Sequence, residues 1–335
     1  TKALAPWDQA GQETEPRRRA LSYAILAPNP HNRQPWLVDL AQPETVVLYR
    51  DLERDLPHTD PYNRQIFIGL GCFLELMTIA AAEDGHKVDL DLFPEGEDGP
   101  VAIARFSDGA SKDPLFAQVM NRRSCKEPFE KTPVSDHLAE ELSEFANITT
   151  AEEAVADLRQ LTWQAMEVEL LTHRTLKKSV DLTRMGKAEI NANPDGIDLG
   201  GPFLEGLMLA GILTREAQLN TKSSAFQQVL GMFETIMTET PAYATIVTDE
   251  NSRIDQIEAG RKWLRLNLKT TELGLSLHPV SQALQEYPEM RDHYQTVHKL
   301  LAAPGQTVQM LGRLGYGPTL PRTPRWPLET RIYNG

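Results

Sequence analysis

Cysteine is scarce in this chain: Cys72 and Cys125 stand far apart and outside any CxxC spacing. That excludes a disulfide framework and a thiolate metal site, and it leaves the compartment undecided. No GxGxxG or Walker A loop occurs, and no HExxH or GxSxG string, so Rossmann, P-loop, zincin and α/β-hydrolase chemistry are not expected. Gly69-Leu70-Gly71 falls inside a helical pattern, where small residues serve close packing. His293 and His298 are five apart on an expected helix and so lie on different faces, which argues against a metal pair. Long apolar runs are also missing. The nearest, Ile66 to Ala82, contains Glu75 and reads as a buried helix rather than a membrane span. Positive charge is outweighed, with 34 Lys and Arg against 47 Asp and Glu and a formal net charge of -13. Such a surface repels nucleic-acid backbones and anionic bilayers, so neither is an expected partner. A bound phosphate would need a local basic cluster working against that field.

What is present suits a folded protein: 41% hydrophobic and 24% charged residues over 335 positions, enough for two domains or one fused unit. After a polar lead-in, Arg17–Leu26 reads as a helix halted by Pro28 and Pro30. Strand-like runs follow at Trp36–Leu40 and Thr45–Tyr49, then a helix from about Tyr62 to Glu83 closed by Gly85, then strands at Lys87–Phe93 and Val101–Phe106. Beyond Asp108 the pattern is mainly helical, over Asp113–Asn121, Ser135–Ala146 and one long stretch from about Glu152 to Thr183. The segment GKAEINANPDGIDLGGP, 186–202, interrupts it and reads as an ordered loop or lid. Helices resume at Phe203–Leu219 and Ala225–Thr238. A strand at Ala242–Thr248, a helix at Arg253–Glu272, a helix around Met290–Ala302 and a strand at Thr307–Leu314 complete the pattern. A long helix closed by glycine occurs twice, GLGCFLELMTIAAAEDG and GRKWLRLNLKTTELG, each followed by extended segments, which suggests an internal duplication.

Four strings carry candidate chemistry. APNPHNRQPW, 27–36, fixes a non-helical path between helix and strand that would present Asn32 and backbone carbonyls to a planar ligand; it also reads as a plain connector. NRRSCKEPFEKTPV, 121–134, gathers Arg122, Arg123, Ser124 and Lys126, donors suited to a phosphate, or alternatively a solvated basic turn. GLSLHPVSQ, 274–282, follows a helix. GYGPTLPRTPRWPLETRI, 315–332, sets Arg322 and Arg325 among prolines. His31 and His278 sit in two of these loops, and Trp163, Trp263 and Trp326 read as packing anchors.

Taken together, these strings resemble the nitroreductase superfamily, with its R-R-S-x-R/K-x-F-x-x-x-P-V, P-S-x-x-N-x-Q-P-W, helix-ending L-G-L and terminal R-x-P-L motifs. Their altered order is similar to a fused, Acg-like subgroup. The resemblance implies an α+β, nitroreductase-like fold in which two fused halves mimic a homodimer: a lead-in over 1–16, a first half over 17–107 and a second over 108–335 containing the lid. It implies one FMN site per chain, with Arg122, Arg123, Ser124 and Lys126 at the phosphate and ribityl chain and Arg322 and Arg325 adding charge. Pro28, Asn29, Pro30 and Asn32 would flank the isoalloxazine ring, and Pro279, Val280, Ser281 and Gln282 would lie along its edge. At Ser281 and Gln282 the chain departs from a common acidic-glycine pattern. The expected activity is hydride transfer from NADH or NADPH through flavin N5 to a small nitroaromatic or quinone, with no catalytic side chain and no metal. The alternatives are an FMN-storing protein with little turnover and a scaffold without flavin. A monomeric pseudo-dimer is expected, with further association left undecided. The polar start lacks an apolar leader core and fits a mature exported protein, so the periplasm is placed ahead of the cytoplasm.

Overall fold

A computed structural model describes residues 1–333. The first part of the chain forms α1 (Ala5–Gln9), α2 (Pro16–Ala24), β1 (Trp36–Asp39), β2 (Thr45–Arg50), α3 (Arg64–Glu83), β3 (His86–Leu92) and β4 (Ala102–Asp108). There follow α4 (Asp136–Leu142), β5 (Asn147–Thr149), α5 (Glu152–Leu171), α6 (His173–Asp181), β6 (Thr183–Met185), α7 (Gly186–Ala192), β7 (Ile197–Leu199), α8 (Pro202–Leu209), α9 (Arg215–Leu219) and α10 (Ser224–Thr238). The last part holds β8 (Ala242–Thr248), α11 (Arg253–Glu272), β9 (Ser276–Pro279), α12 (Arg291–Leu301) and β10 (Thr307–Gly315).

Two four-stranded antiparallel sheets result, in the orders β1-β2-β4-β3 and β5-β8-β10-β9. Counted along the chain, both place their first strand on one edge, their third on the other and their fourth inside. In both, the long helix runs between the second and third strands, α3 in one and α11 in the other. The α+β fold of two like halves is therefore written in the topology. The halves differ in two connections: β1 and β2 are joined by a tight turn at 40–44, whereas everything from α5 to α10 is inserted between β5 and β8, and a short loop joins β3 to β4 where α12 separates β9 from β10.

The two long helices meet in the core, and each is built to start and stop. Asp60 accepts from the backbone N–H groups of Gln65 and Ile66 at the α3 N-terminus, and a reciprocal Ser252–Asp255 capping box opens α11. Gly85 and Gly274, both in the left-handed region, follow their C-termini. α3 is long and apolar enough to cross a bilayer, yet it lies inside the protein, packed against α11, α2 and β3.

The helix contact is reciprocal. Gly71 lies against the carbonyl of Ile257, and Gly260 lies against the carbonyl of Ile68. The same pattern recurs at the helix starts, where Arg64 pairs with Glu286 at 3.3 Å and Arg253 with Glu97 at 3.1 Å. One sequence offset relates Arg64 to Arg253, Ile68 to Ile257, Gly71 to Gly260, Gly85 to Gly274 and Glu97 to Glu286. Reciprocal contacts of this kind are the signature of a twofold-related interface. The C-terminal tail completes the exchange by crossing to the first sheet, where Ile332 bridges Val38 and the Tyr333 N–H donates to the Val38 carbonyl at 2.7 Å.

Three sequence expectations change. The helix expected over 152–183 breaks at Thr172, whose backbone is extended, into α5 and α6. The 186–202 segment is not irregular throughout, since it contains α7 and the β7 strand that pairs with β6 in parallel. The helix expected over 203–219 divides into α8 and α9 around Gly211.

Candidate functional site

The 27–36 loop is held in an unusual path. His31, Asn32 and Gln34 all have left-handed backbone angles, with φ of 50°, 48° and 54°. For non-glycine residues that conformation is costly and persists only when the surroundings fix it. Here they do. The Asn29 carboxamide oxygen accepts from the Gln34 N–H at 2.7 Å, and its amide donates to the Ala27 carbonyl at 3.1 Å. Asn32 donates to the Pro324 carbonyl at 3.0 Å and accepts from Arg325 at 2.5 Å. Gln34, fully buried, accepts from the Trp326 N–H and donates to the Pro194 carbonyl, both at 2.8 Å. Asn29 and Asn32 therefore brace the loop. Pro28 is buried, while Pro30 and His31 keep some accessible surface. Gly69 of α3 admits the loop, because a Cβ there would press on Pro30 and Asn29.

The basic string converges on the same place. Arg122 donates to Asn267 of α11 and to the Leu26 carbonyl, each at 3.0 Å. Arg325 donates to the Leu26 carbonyl at 3.1 Å and the Ala27 carbonyl at 3.3 Å, while its buried Nε has no partner among the described residues. Burial lowers the pKa of Arg122 to about 10, and burial together with the Arg122 charge lowers that of Arg325 to about 9. Arg123 lies over the Trp7 ring, 4.9 Å from its centroid. Arg322 turns outward to Asp8 at 2.8 Å. This is a concentration of buried positive charge with few acids beside it.

Ser124 and Lys126 make no side-chain hydrogen bond or ion pair among the described residues. The Cys125 N–H donates to the Leu277 carbonyl at 3.0 Å, which lays this segment along β9. The Lys126 side chain remains exposed to water, yet the protein around it lowers its pKa, opposed by Asp198 of β7. Its ammonium is therefore open to a ligand while standing close to the buried arginines and to Asp198. The ring-edge residues are further along. Pro279 ends β9, the buried Val280 bonds to Leu311, Ser281 faces the Met310 sulfur, and the carboxamide oxygen of Gln282 is buried without a partner.

Asp195 and its arginines were missed by sequence reading. The Asp195 carboxylate is buried and pairs with Arg33 at 3.3 Å, Arg54 at 2.9 Å and Arg184 at 2.7 Å. With the Gly196 N–H donating to the Asn32 carbonyl at 3.2 Å, it fastens the 186–202 segment to the 27–36 loop. Little in the local sequence marks Asp195, since two of its partners, Arg33 and Arg54, lie in a distant part of the chain.

His31 is held neutral. Burial first, then the charges of Lys126, Arg33 and Lys178, lower its pKa from the ordinary 6.5 to about 4. An unfolded chain then binds a proton that the folded chain refuses, so stability is intact above pH 6.5 and falls as pH drops from about 6.5 towards 4. His31→Asn tolerates the left-handed backbone and removes this titration. Urea unfolding at pH 7 and pH 4 should show the parent losing about 2 kcal/mol more than the variant, allowing for partial exposure. Equal losses would mean that His31 does not titrate against folding.

No family model matches the chain. A Mycobacterium tuberculosis protein, Rv3131, provisionally named as an NAD(P)H nitroreductase, is 23% identical over 342 aligned residues, spanning 95% of this chain and 93% of its own length. The acg nitroreductase of the same organism, also provisionally named, is 34% identical over 91 residues, 27% of each chain. Among solved structures, the FMN-dependent nitroreductase NfnB of Mycobacterium smegmatis in complex with NADPH aligns with 64% of this chain and 96% of its own at 14% identity and a TM-score of 0.40, too loosely to carry weight. The four motifs and the near full-length similarity to Rv3131 agree: the chain is similar to the nitroreductase superfamily.

Proposed function

We propose that the chain binds one FMN at this donor cluster and passes hydride from NADH or NADPH to a small nitroaromatic or quinone acceptor. The observation that carries the reading is a pair of free donors beside buried arginines. Ser124 and Lys126 are donors without partners among the described residues, set beside Arg122, Arg123 and Arg325, whose charges few acids offset. Such a donor set fits a phosphate monoester. Bound FMN supplies the hydride chemistry at N5. The chain's own part is to hold and orient it. Ser124 and Lys126 take the phosphate and ribityl oxygens, and the buried arginines brace the 25–28 backbone and contribute positive potential. The rigid loop through Pro28, Asn29, Pro30 and Asn32 flanks the ring, and Pro279 to Gln282 lie at its edge.

One site per chain is favoured by the asymmetry of the halves, for which we propose a division near Asp108. Residues 25–35 separate α2 from β1, whereas only 143–146 separate α4 from β5, which leaves no equivalent of the 27–36 loop. The test is the visible spectrum of the purified protein with released flavin counted per chain. About one FMN is expected; two would overturn the single site, and none after incubation with FMN would overturn the function. Lys126→Ala should weaken FMN about tenfold to a hundredfold, the worth of a charged hydrogen bond, as followed by flavin fluorescence quenching. An unchanged affinity would remove Lys126 from the site.

A second reading, FMN storage with little turnover, is favoured by the pinned 186–202 segment. Steady-state NAD(P)H oxidation with a quinone separates the two: sustained turnover supports the oxidoreductase, and retention of flavin without turnover supports storage.

A further inference from the structure

β9 and β10 pair so that Arg313 lies opposite His278, both of them buried. Arg313 has no carboxylate partner among the described residues. Its Nε donates to Thr240 Oγ1 at 2.8 Å, both terminal nitrogens reach the Glu127 carbonyl at 3.3 Å, and its plane lies over Phe129, 4.0 Å from the ring centroid. Its Nη1 is 2.9 Å from His278 Nδ1.

A guanidinium has N–H donors and no acceptor, and burial that lowers this one to about 10 still leaves it protonated at neutral pH. His278 Nδ1 must therefore accept, and the ring proton is on Nε2. His278 Nε2 makes no hydrogen bond among the described residues, and the residue keeps 6% of its surface accessible. The Cys125–Leu277 hydrogen bond lays Lys126 and His278 on adjoining stretches of backbone, close enough for the Lys126 charge to act on the imidazole. Burial and the charges of Arg313 and Lys126 hold the imidazole neutral.

We propose that Arg313 is a positioning residue that fixes His278 as an Nε2–H donor, and that His278 and Lys126 form a two-donor site for an anionic oxygen of the bound ligand. A buried arginine without a paired acid is costly to keep, and orienting a neighbouring imidazole gives it a use. The proposal rests on the flavin reading for the identity of the ligand, because the anionic oxygen comes either from the FMN phosphate or from the electron acceptor.

The test is long-range 1H–15N correlation on protein labelled in its histidine rings, at pH 7. His278 should show a protonated Nε2 and an unprotonated Nδ1. Its Nε2 signal should shift with FMN and with inorganic phosphate but not with riboflavin if the phosphate is the source. It should shift only when 4-nitrobenzoate is added to FMN-loaded protein if the acceptor is the source. In the phosphate case Arg313→Met should weaken FMN about tenfold with riboflavin affinity unchanged, and Arg313→Lys should restore most of the loss. In the acceptor case Arg313→Met should raise the KM for 4-nitrobenzoate about tenfold and leave that for neutral nitrobenzene alone. A proton on Nδ1, or an Nε2 signal that none of these ligands moves, overturns the proposal, and both are read on the parent protein even if the variants fail to fold. A chain that binds no flavin yet shows the expected tautomer and the shift with inorganic phosphate would fail the functional reading and keep this one.

Discussion

Replacing Gly71 by alanine should destabilise the chain by about 3 kcal/mol or more, among the larger costs expected of a single methyl group. A Cβ on Gly71 would fall well under 3.0 Å from the Ile257 carbonyl, and one on Gly260 would meet the Ile68 carbonyl and the Cys72 amide in the same way. The obstruction is backbone, so no side chain can swing aside. The α3 and α11 axes would have to separate, and with them the core that ties the two sheets together. Gly231, inside α10, supplies the control. A Cβ there would meet nothing, and alanine in an open helix position gains roughly 0.5–1 kcal/mol over glycine. Chemical denaturation of Gly71→Ala, Gly260→Ala and Gly231→Ala should give two large losses and one small gain. If Gly71→Ala behaved like Gly231→Ala, the close crossing described here would be wrong.

The helices that make this crossing were legible in sequence because their signals are local. Apolar runs with helical spacing, an acidic or hydroxyl cap before Arg64 and Arg253, and glycines at 85 and 274 fix both ends without reference to the rest of the chain. The repeated glycine-closed helix also pointed correctly to two like halves. The short strands were harder. β5 has three residues, and β6 and β7 pair only with each other; pairing between segments far apart in sequence leaves no periodic trace over so few positions. The break at Thr172 was missed because apolar and charged residues continue the helical spacing across it. At the candidate site, the sequence marked the strings but not the hydrogen bonds each residue makes. Asn29, Asn32, Arg122 and Arg325 spend their hydrogen bonds within the protein, on the loop, the tail and Asn267, while Ser124 and Lys126 make none among the described residues. Which of two donors is already satisfied is decided by partners from other segments, and the spacing of Arg, Ser and Lys along one string does not contain that information.

The same reasoning makes Asp195 the residue whose loss should be most informative about function. Its carboxylate is the shared acid of Arg33, Arg54 and Arg184, all with largely buried side chains. Arg54 keeps Asp51 as a second partner at 3.0 Å, but Arg33 and Arg184 have no other acid partner among the described residues. Asp195→Asn preserves shape and leaves buried charge uncompensated, a change that typically costs about 3–5 kcal/mol. Part of that cost should be met locally by release of the 186–202 segment, whose remaining ties to the 27–36 loop are the Gln34–Pro194 and Asn32–Gly196 bonds. Hydrogen exchange should therefore rise in the amides of 186–199 before it rises in α3 or α11. If the pinned segment keeps acceptors out, quinone-dependent NAD(P)H oxidation should increase several-fold in Asp195→Asn while flavin is retained less tightly; if the segment instead completes the acceptor site, turnover should fall with flavin still bound. Protection unchanged across 186–199, with a stability loss below about 1 kcal/mol, would mean that the segment is held by something other than this carboxylate. The direction of the turnover change then separates the two functional readings, because a storing protein is opened by the substitution and an oxidoreductase is impaired by it.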